Sequence, residues 1–307
     1  MASKRNLIGA TVFALPFMLF SINAHAVPSY ARQTGMACAA CHTVYPELTA
    51  FGRSFKMNGY TLTGIKEVQS TSTPAASGLK LSGIPPMSAM LQTQFQTSKA
   101  NGDEYLLPNE FSLFFAGEIS PKMGSFIQMT LEQGGNFELD NTDIRYATHS
   151  GGTTIGVTVN NSPTVQDLWN STPAWGYPFT HGADIAAPVV ADALAQNVAG
   201  IGGYADWGNG IYTELTAYRE TNEFDAPGGS ADPVRIRGLA PYWRLAWHTT
   251  MSGGDELMIG TYGMQASTYS VAGGAAGPAD KFTDTAVDTQ YEHPFANSNN
   301  MVSVHAR

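Results

Sequence analysis

The sequence predicts a mainly β fold, an antiparallel β-barrel, preceded by a small α-helical segment. Segments of roughly ten residues that alternate apolar and polar side chains recur between turn signals. The chain has 32 glycines, and only 13% of its residues are charged. After residue 27 it has no apolar run long enough for a membrane-spanning helix. Most of the chain is therefore predicted to form strands.

We expect about eleven strands, separated by glycine, proline and asparagine turns. The short sequences at 150–152 and 207–209 predict tight hairpins. The predicted strands cover residues 88–97, 110–120, 125–132, 142–148, 153–160, 198–206, 210–219, 238–249, 256–269, 282–292 and 301–307.

Alternation within the strands predicts a sheet with one apolar and one polar face. Ile155, Val157 and Val159 share one face, whereas Thr154 and Thr158 share the other. A water-soluble sandwich and a transmembrane barrel with a polar lumen both give this pattern. Strand lengths near ten residues, with tyrosines and tryptophans near strand ends, favour the transmembrane barrel.

The lengths of the connections favour the same barrel, and the last strand predicts whether it closes. Short turns alternate with long loops at 161–196 and 220–235, as in barrels with periplasmic turns and extended external loops. The chain stops at 302–307 inside an alternating strand. An open edge in lipid leaves backbone groups unpaired, so we expect the barrel to be truncated in this chain.

Both cysteines lie in the run Cys38-Ala39-Ala40-Cys41-His42. C-x-x-C-H is the attachment pattern of a c-type haem, in which two thiols bind the haem covalently and the imidazole binds its iron. A thioredoxin-like dithiol needs a strand–helix setting, and a zinc site needs more Cys or His ligands nearby. The motif predicts one covalent haem c on Cys38 and Cys41, with His42 as the proximal iron ligand.

The first 26 residues predict export. Lys4 and Arg5 precede an apolar run at 7–20, and Ala24-His25-Ala26 forms an A-x-A cleavage site. An uncleaved membrane anchor is the alternative, but the apolar run is short for a spanning helix.

The haem motif is flanked by PSYARQTGM at 28–36 and YPELTAFGRSFKMNGY at 45–60. This stretch resembles the fused outer-membrane cytochrome-porins, whose best-known members are iron oxidases of iron-oxidising bacteria. In that family a monohaem cytochrome segment precedes a barrel of about sixteen strands and sits inside it. By that standard the chain divides into a signal peptide at 1–26, a monohaem cytochrome c segment at 27–82 and an incomplete porin-like β-barrel at 83–307.

The resemblance implies electron transfer across the outer membrane of a Gram-negative bacterium. Extracellular Fe(II) or another donor would supply electrons to a periplasmic c-type cytochrome, and Fe(II) oxidation would make the protein an oxidoreductase. A diffusion porin with a haem-bearing plug and outward electron delivery are the alternatives. Outer-membrane lipid is the expected partner of the apolar strand face, and the net charge of −9 disfavours nucleic acid.

Several residues near the motif are candidates for holding the haem. Arg53 is predicted to pair with a haem propionate, as arginine does with carboxylates, or else to be a solvated surface charge. Arg32 and Lys56 are further candidates of the same kind. Tyr60 would donate to a propionate or simply pack.

Two more expectations concern the faces of the haem. Leu48, Phe51 and Phe55 would form an apolar stripe that lies on the haem or packs against the barrel wall. Methionine ligation raises a haem potential, and the sixth iron ligand is predicted among three methionines: Met57, Met87 and Met90.

Overall fold

The computed structural model describes residues 29–43, 47–62, 86–98, 102–131, 137–171, 194, 197–220, 235–269, 277–295 and 301–307. The predicted signal peptide at 1–26 lies outside these residues, as does the end of the predicted cytochrome segment after residue 62. Most residues of the predicted barrel segment, 83–307, are described.

The described residues form one antiparallel sheet of eleven strands, which follow one another in chain order. The predicted number of strands is confirmed. The strands are β1 Met87–Ser98, β2 Gly102–Ser120, β3 Met123–Leu131, β4 Phe137–Ser150, β5 Thr153–Asn160, β6 Val198–Trp207, β7 Ile211–Glu220, β8 Ala240–Thr250, β9 Glu256–Tyr269, β10 Ala279–Pro294 and β11 Met301–Ala306.

Three strands, β2, β4 and β10, are clearly longer than the sequence predicts. β4 begins at Phe137, which pairs with Leu131 at the end of β3. β2 begins at Gly102 because its first residues pair with the end of β1, so that Ser98 lies opposite Gly102. β10 begins at Ala279, which pairs with Tyr269 at the end of β9. These extensions mix polar and apolar residues without a clear alternation, and the pairing with a neighbouring strand reveals them.

The hairpin between β4 and β5 confirms the tight turn predicted there. Gly151 and Gly152 have φ values of 58° and 84°. Two successive residues with positive φ are typical of the type I′ turn, which matches the twist of the strands it joins. Glycine adopts these angles without steric cost.

The connections differ between the two ends of the sheet. In an antiparallel meander, successive connections alternate between ends. The turns at 121–122, 151–152, 208–210 and 251–255 therefore lie at one end, called here the short-turn end. The long connections 161–197 and 221–239 leave the opposite end, as predicted.

The sheet exposes apolar side chains and buries polar ones, the opposite of the arrangement in a water-soluble protein. In β5, the side chain of Val157 is 43% exposed, whereas Thr158 is 0% exposed. Leu245 and Arg244 show the same contrast in β8. A sandwich would bury its apolar face, so the sandwich alternative does not fit. The sheet is curved. Its buried, concave face carries charged and polar side chains together with tyrosines and methionines, and its exposed, convex face is apolar.

Exposed aromatic side chains form two belts on the convex face. At the short-turn end they are Tyr146, Trp207, Trp247 and Phe295. At the opposite end they are Phe95, Tyr105 and Phe137. Aliphatic side chains are exposed between the belts, among them Val157, Val159, Ile201, Leu215, Leu245 and Val287.

The described residues also form four short helices: α1 Ser29–Thr34, α2 Cys38–Cys41, α3 Ala50–Met57 and α4 Pro163–Gln166. α4 begins at Pro163, after the cap Ser162, because proline suits the first helical position. In the described part of the chain, no helix has the length and apolar character needed to cross a membrane.

Among the described residues, β1 and β11 each pair with a single neighbouring strand, so the sheet is not closed. The helices α1, α2 and α3 lie on its concave side. Tyr30 in α1 donates a hydrogen bond to the Ser125 carbonyl in β3, and Gln33 donates to the Ala116 carbonyl in β2. The described N-terminal residues, 29–43 and 47–62, are called here the N-terminal segment.

Candidate functional site

The C-x-x-C-H motif forms a single helical turn followed by extended backbone. The Cys38 carbonyl accepts a hydrogen bond from the His42 amide at 2.9 Å. Residues three apart on a helix lie on one side, so the turn brings the two thiols together. Cys38 is exposed, Cys41 is half-buried, and they form no disulfide. Burial and the nearby Cys38 raise the pKa of the Cys41 thiol.

This donor set fits a covalent haem. Two accessible thiols three residues apart, followed at once by an imidazole, are what thioether attachment and proximal iron ligation need. His42 is half-buried and forms a β-bridge with Leu48, which turns the chain back toward α3. Cys38, Cys41 and His42 would hold the haem, and the assignment stays a prediction.

Arg53 joins α3 to the far side of the sheet. Its guanidinium forms a bidentate ion pair with Glu292 in β10, with both N–O distances 2.9 Å. The same group donates to the Leu48 carbonyl at 2.7 Å. Both side chains of the ion pair are almost fully buried. The pairing with a haem propionate stays a prediction, and Glu292 is the carboxylate that Arg53 contacts in the structure.

Lys56 joins α3 to the near side of the sheet and to α4. Its ammonium donates to the Val165 carbonyl and lies 3.9 Å from Asp143 Oδ2. Burial and the neighbouring Arg145 lower the pKa of Lys56 to about 8, although Asp143 opposes them. Lys56 is therefore a buried, paired cation rather than a solvated charge.

Asp143 in β4 is the centre of a buried hydrogen-bond network. Its Oδ2 accepts from Arg145 Nε at 2.7 Å and from the Tyr60 hydroxyl at 2.6 Å. Its Oδ1 accepts from Thr158 at 2.8 Å. Burial, followed by Asp143, raises the pKa of Tyr60 well above its usual value, so its hydroxyl stays protonated as a donor. The Tyr60 hydroxyl thus donates to Asp143 of the sheet, and its pairing with a haem propionate stays a prediction.

These contacts reveal the curvature of the sheet. Arg53 and Lys56 are one turn apart on α3, yet they reach Glu292 in β10 and Asp143 in β4. A flat sheet would separate two strands six positions apart by about 29 Å. The sheet therefore curves around the N-terminal segment, which lies against its concave face.

Residues 161–171, called here the inward segment, also fold against the concave face. Most of these side chains are buried, including Leu168 and Trp169. Arg244 in β8 stacks over the Trp169 ring at 4.9 Å and pairs with Asp288 at 2.7 Å. The sequence placed this stretch in a long external loop. Ser162-Pro163 is a helix-start signal, and together with the apolar residues Val165, Leu168 and Trp169 it could have indicated a packed helix here.

The predicted apolar stripe divides into two parts. Phe55 is buried and packs edge-on against Tyr30, with ring centroids 5.0 Å apart. Tyr30 and Tyr60 stack at 5.5 Å. Leu48 and Phe51 remain half-buried, next to the C-x-x-C-H turn in the chain. Phe55 therefore holds the segment together, whereas Leu48 and Phe51 keep accessible apolar surface.

The three candidate iron-ligating methionines lie in different environments. Met57 is 6% exposed and belongs to an apolar cluster with Leu168 and Trp169. Met87 is 40% exposed and lies on the convex face. Met90 is half-buried on the concave face, which Ser88 of the same strand shares. Met57 and Met90 thus lie on the same side of the sheet as the C-x-x-C-H turn and Met87 on the other side, and the identity of the sixth iron ligand stays a prediction.

No group of three or more histidine, cysteine or acidic side chains able to hold a metal ion occurs among the described residues. Three histidines instead pair with single carboxylates: His248 with Asp206, His293 with Asp255 and His305 with Glu47. His181 lies outside the described residues.

Comparisons of the chain with family models, with curated proteins and with solved structures find no match.

Proposed function

We propose that this protein is a monohaem electron conduit of the outer membrane of a Gram-negative bacterium. One observation carries the proposal: the C-x-x-C-H turn belongs to a segment that packs on the buried polar face of a curved sheet. The convex face of that sheet is apolar between two aromatic belts, a pattern typical of membrane barrels.

The residues of the N-terminal segment have distinct roles in this proposal. Cys38 and Cys41 hold the haem through thioether bonds, and His42 binds its iron. A bound haem takes up and releases one electron. Arg53 and Lys56 fix α3 between β10 and β4, which keeps the neighbouring C-x-x-C-H turn at a constant position relative to the sheet.

The overall transfer balances without another reactant. Extracellular Fe(II) loses one electron and becomes Fe(III), and a ferric periplasmic c-type cytochrome gains that electron. The reverse flow, outward delivery, uses the same residues. The reduction potentials of the partners set the direction.

The packing of the concave face favours this conduit over a diffusion porin. Lys56 of the N-terminal segment contacts Val165 of the inward segment directly. Arg244 and Asp288 then tie the inward segment to β8 and β10 through Ser171. Two packed layers against the concave face occupy space that a hydrated channel would need.

Purified protein separates the two functions. We expect Fe(II), added at controlled pH, to convert the absorption spectrum to the reduced form, while reconstituted bilayers show little ion conductance. Strong conductance with a haem that Fe(II) does not reduce would support the porin instead. Reduction by another donor alone would keep the conduit and exclude iron.

The membrane part of the proposal predicts that a charge on the convex face is costly. Val157→Arg should destabilise the inserted protein by about 2–4 kcal/mol, the cost of arginine near the midplane of a bilayer. Unfolding in lipid vesicles measures it, with Val157→Leu as the matched control. Equal stability of the two variants would contradict a lipid-facing position.

A further inference from the structure

The C-x-x-C-H turn rests on α3 through two residues that do not belong to the motif. The amide of Thr49 donates to the Cys41 carbonyl at 2.9 Å. The hydroxyl of Thr49 donates to the Ala40 carbonyl at 2.7 Å. One residue thus holds the two successive carbonyls that end α2.

Thr49 is also the N-cap of α3. Its Oγ1 accepts a hydrogen bond from the Gly52 amide at 3.0 Å. The same hydroxyl therefore caps the start of α3 and satisfies a carbonyl at the end of α2, where helices leave such groups unpaired. The two helices are joined at one atom.

Gly52 brings the two helices into contact. A Cβ at this position would lie 2.1 Å from the Cys41 carbonyl oxygen and 3.1 Å from Cys41 Cα. Every obstructing atom is backbone, so no side-chain movement relieves the clash. Any larger residue must push the C-x-x-C-H turn away from α3.

The position of His42 depends on the contact between Gly52 and Cys41. Its amide bonds back to the Cys38 carbonyl, and its bridge to Leu48 runs beside the chain that leads into Thr49. A displacement of Cys41 therefore moves the His42 backbone relative to α3. Arg53, next to Gly52, anchors α3 to Glu292. The contact of Thr49 and Gly52 with α2 therefore also fixes the C-x-x-C-H turn relative to the sheet.

We propose that Thr49 and Gly52 are positioning residues that fix the orientation of the His42 imidazole relative to α3 and the curved sheet. The proposal rests on the haem-binding function proposed above. In it, Thr49 and Gly52 touch neither haem nor iron and act through the backbone of Ala40 and Cys41.

The experiment compares four variants of the whole protein. Thr49→Val removes the hydroxyl at nearly constant volume, and Thr49→Ser keeps the hydroxyl but removes the methyl group. Gly52→Ala introduces the clash with the Cys41 carbonyl. Thr61→Val is the matched control, because the Thr61 hydroxyl donates to the Asn58 carbonyl at 2.8 Å, at the other end of α3. Resistance of the sheet to heat in detergent shows that each variant folds.

Two readouts test the proposal. In the haem-loaded protein, Thr49→Val and Gly52→Ala should change the low-spin spectrum and shift the midpoint potential, whereas Thr49→Ser and Thr61→Val should not. In haem-free protein, alkylation of Cys41 should become about tenfold faster in Thr49→Val, since the hydrogen bonds of the Thr49 hydroxyl to the Ala40 carbonyl and from the Gly52 amide are both lost. Gly52→Ala should have the larger effect.

The outcomes separate this proposal from the function on which it rests. Native protein without covalent haem would overturn the haem function. Unchanged alkylation of Cys41 in both Thr49→Val and Gly52→Ala would show that these residues do not hold the C-x-x-C-H turn against α3. Faster alkylation with an unchanged spectrum and potential would overturn the positioning of His42. If Thr49→Ser behaved like Thr49→Val, the hydroxyl would have no role.

Discussion

Replacement of both motif cysteines, Cys38→Ala together with Cys41→Ala, should abolish covalent haem. The thioether bonds that hold a c-type haem form at these two thiols, and no other cysteine exists in the chain to replace them. The expected result is complete loss of haem staining after denaturing electrophoresis. Each single variant should retain less haem than the native protein.

The control for this experiment lies within the same helical turn. Ala39→Ser changes the turn but keeps both cysteines and His42, so it should keep full staining. His42→Ala should keep covalent haem, because the thiols remain, but with an abnormal spectrum from a weakly ligated iron. Haem staining that persists in the double cysteine variant would contradict the haem assignment.

The second large effect is expected at Asp143. Asp143→Ala removes the carboxylate that contacts Arg145, Lys56 and Tyr60, and leaves two buried cations without this partner. Loss of one partner of a buried ion pair costs about 3–5 kcal/mol. The free energy of unfolding in detergent should fall by this amount, and the N-terminal segment should become accessible to protease.

Two further variants show whether burial is the cause. Asp206→Ala removes the carboxylate of a partly exposed pair with His248 and should cost less than about 1 kcal/mol. Adding Lys56→Met to Asp143→Ala should recover part of the lost stability, since one uncompensated charge is then gone. Equal losses for Asp143→Ala and Asp206→Ala would contradict the buried network.

Local patterns in the sequence predicted much of the sheet. Alternation in β5 and β8 identifies which side chains share a face, and Gly151 and Gly152 identify a hairpin. These signals depend on residues close in the chain. They do not show that β2 begins at Gly102, because residues 102–109 lack a clear alternation of apolar and polar side chains and include Pro108.

The candidate site was predictable only in part, for the same reason. Cys38, Cys41 and His42 are neighbours in the chain, and their spacing carries the chemistry. Arg53 and Glu292 are 239 positions apart, and the meeting of their side chains depends on the curvature of the whole sheet. Arg53 could be recognised as a carboxylate-binding residue, but its partner could not.

Electron transfer across a sealed bilayer tests the central claim most directly. Proteoliposomes that contain the protein, with oxidised c-type cytochrome enclosed, receive Fe(II) on the outside only. We predict that the enclosed cytochrome is reduced, and that His42→Ala abolishes this reduction while the vesicles remain sealed. Reduction of the haem of the protein without reduction of the enclosed cytochrome would contradict the conduit.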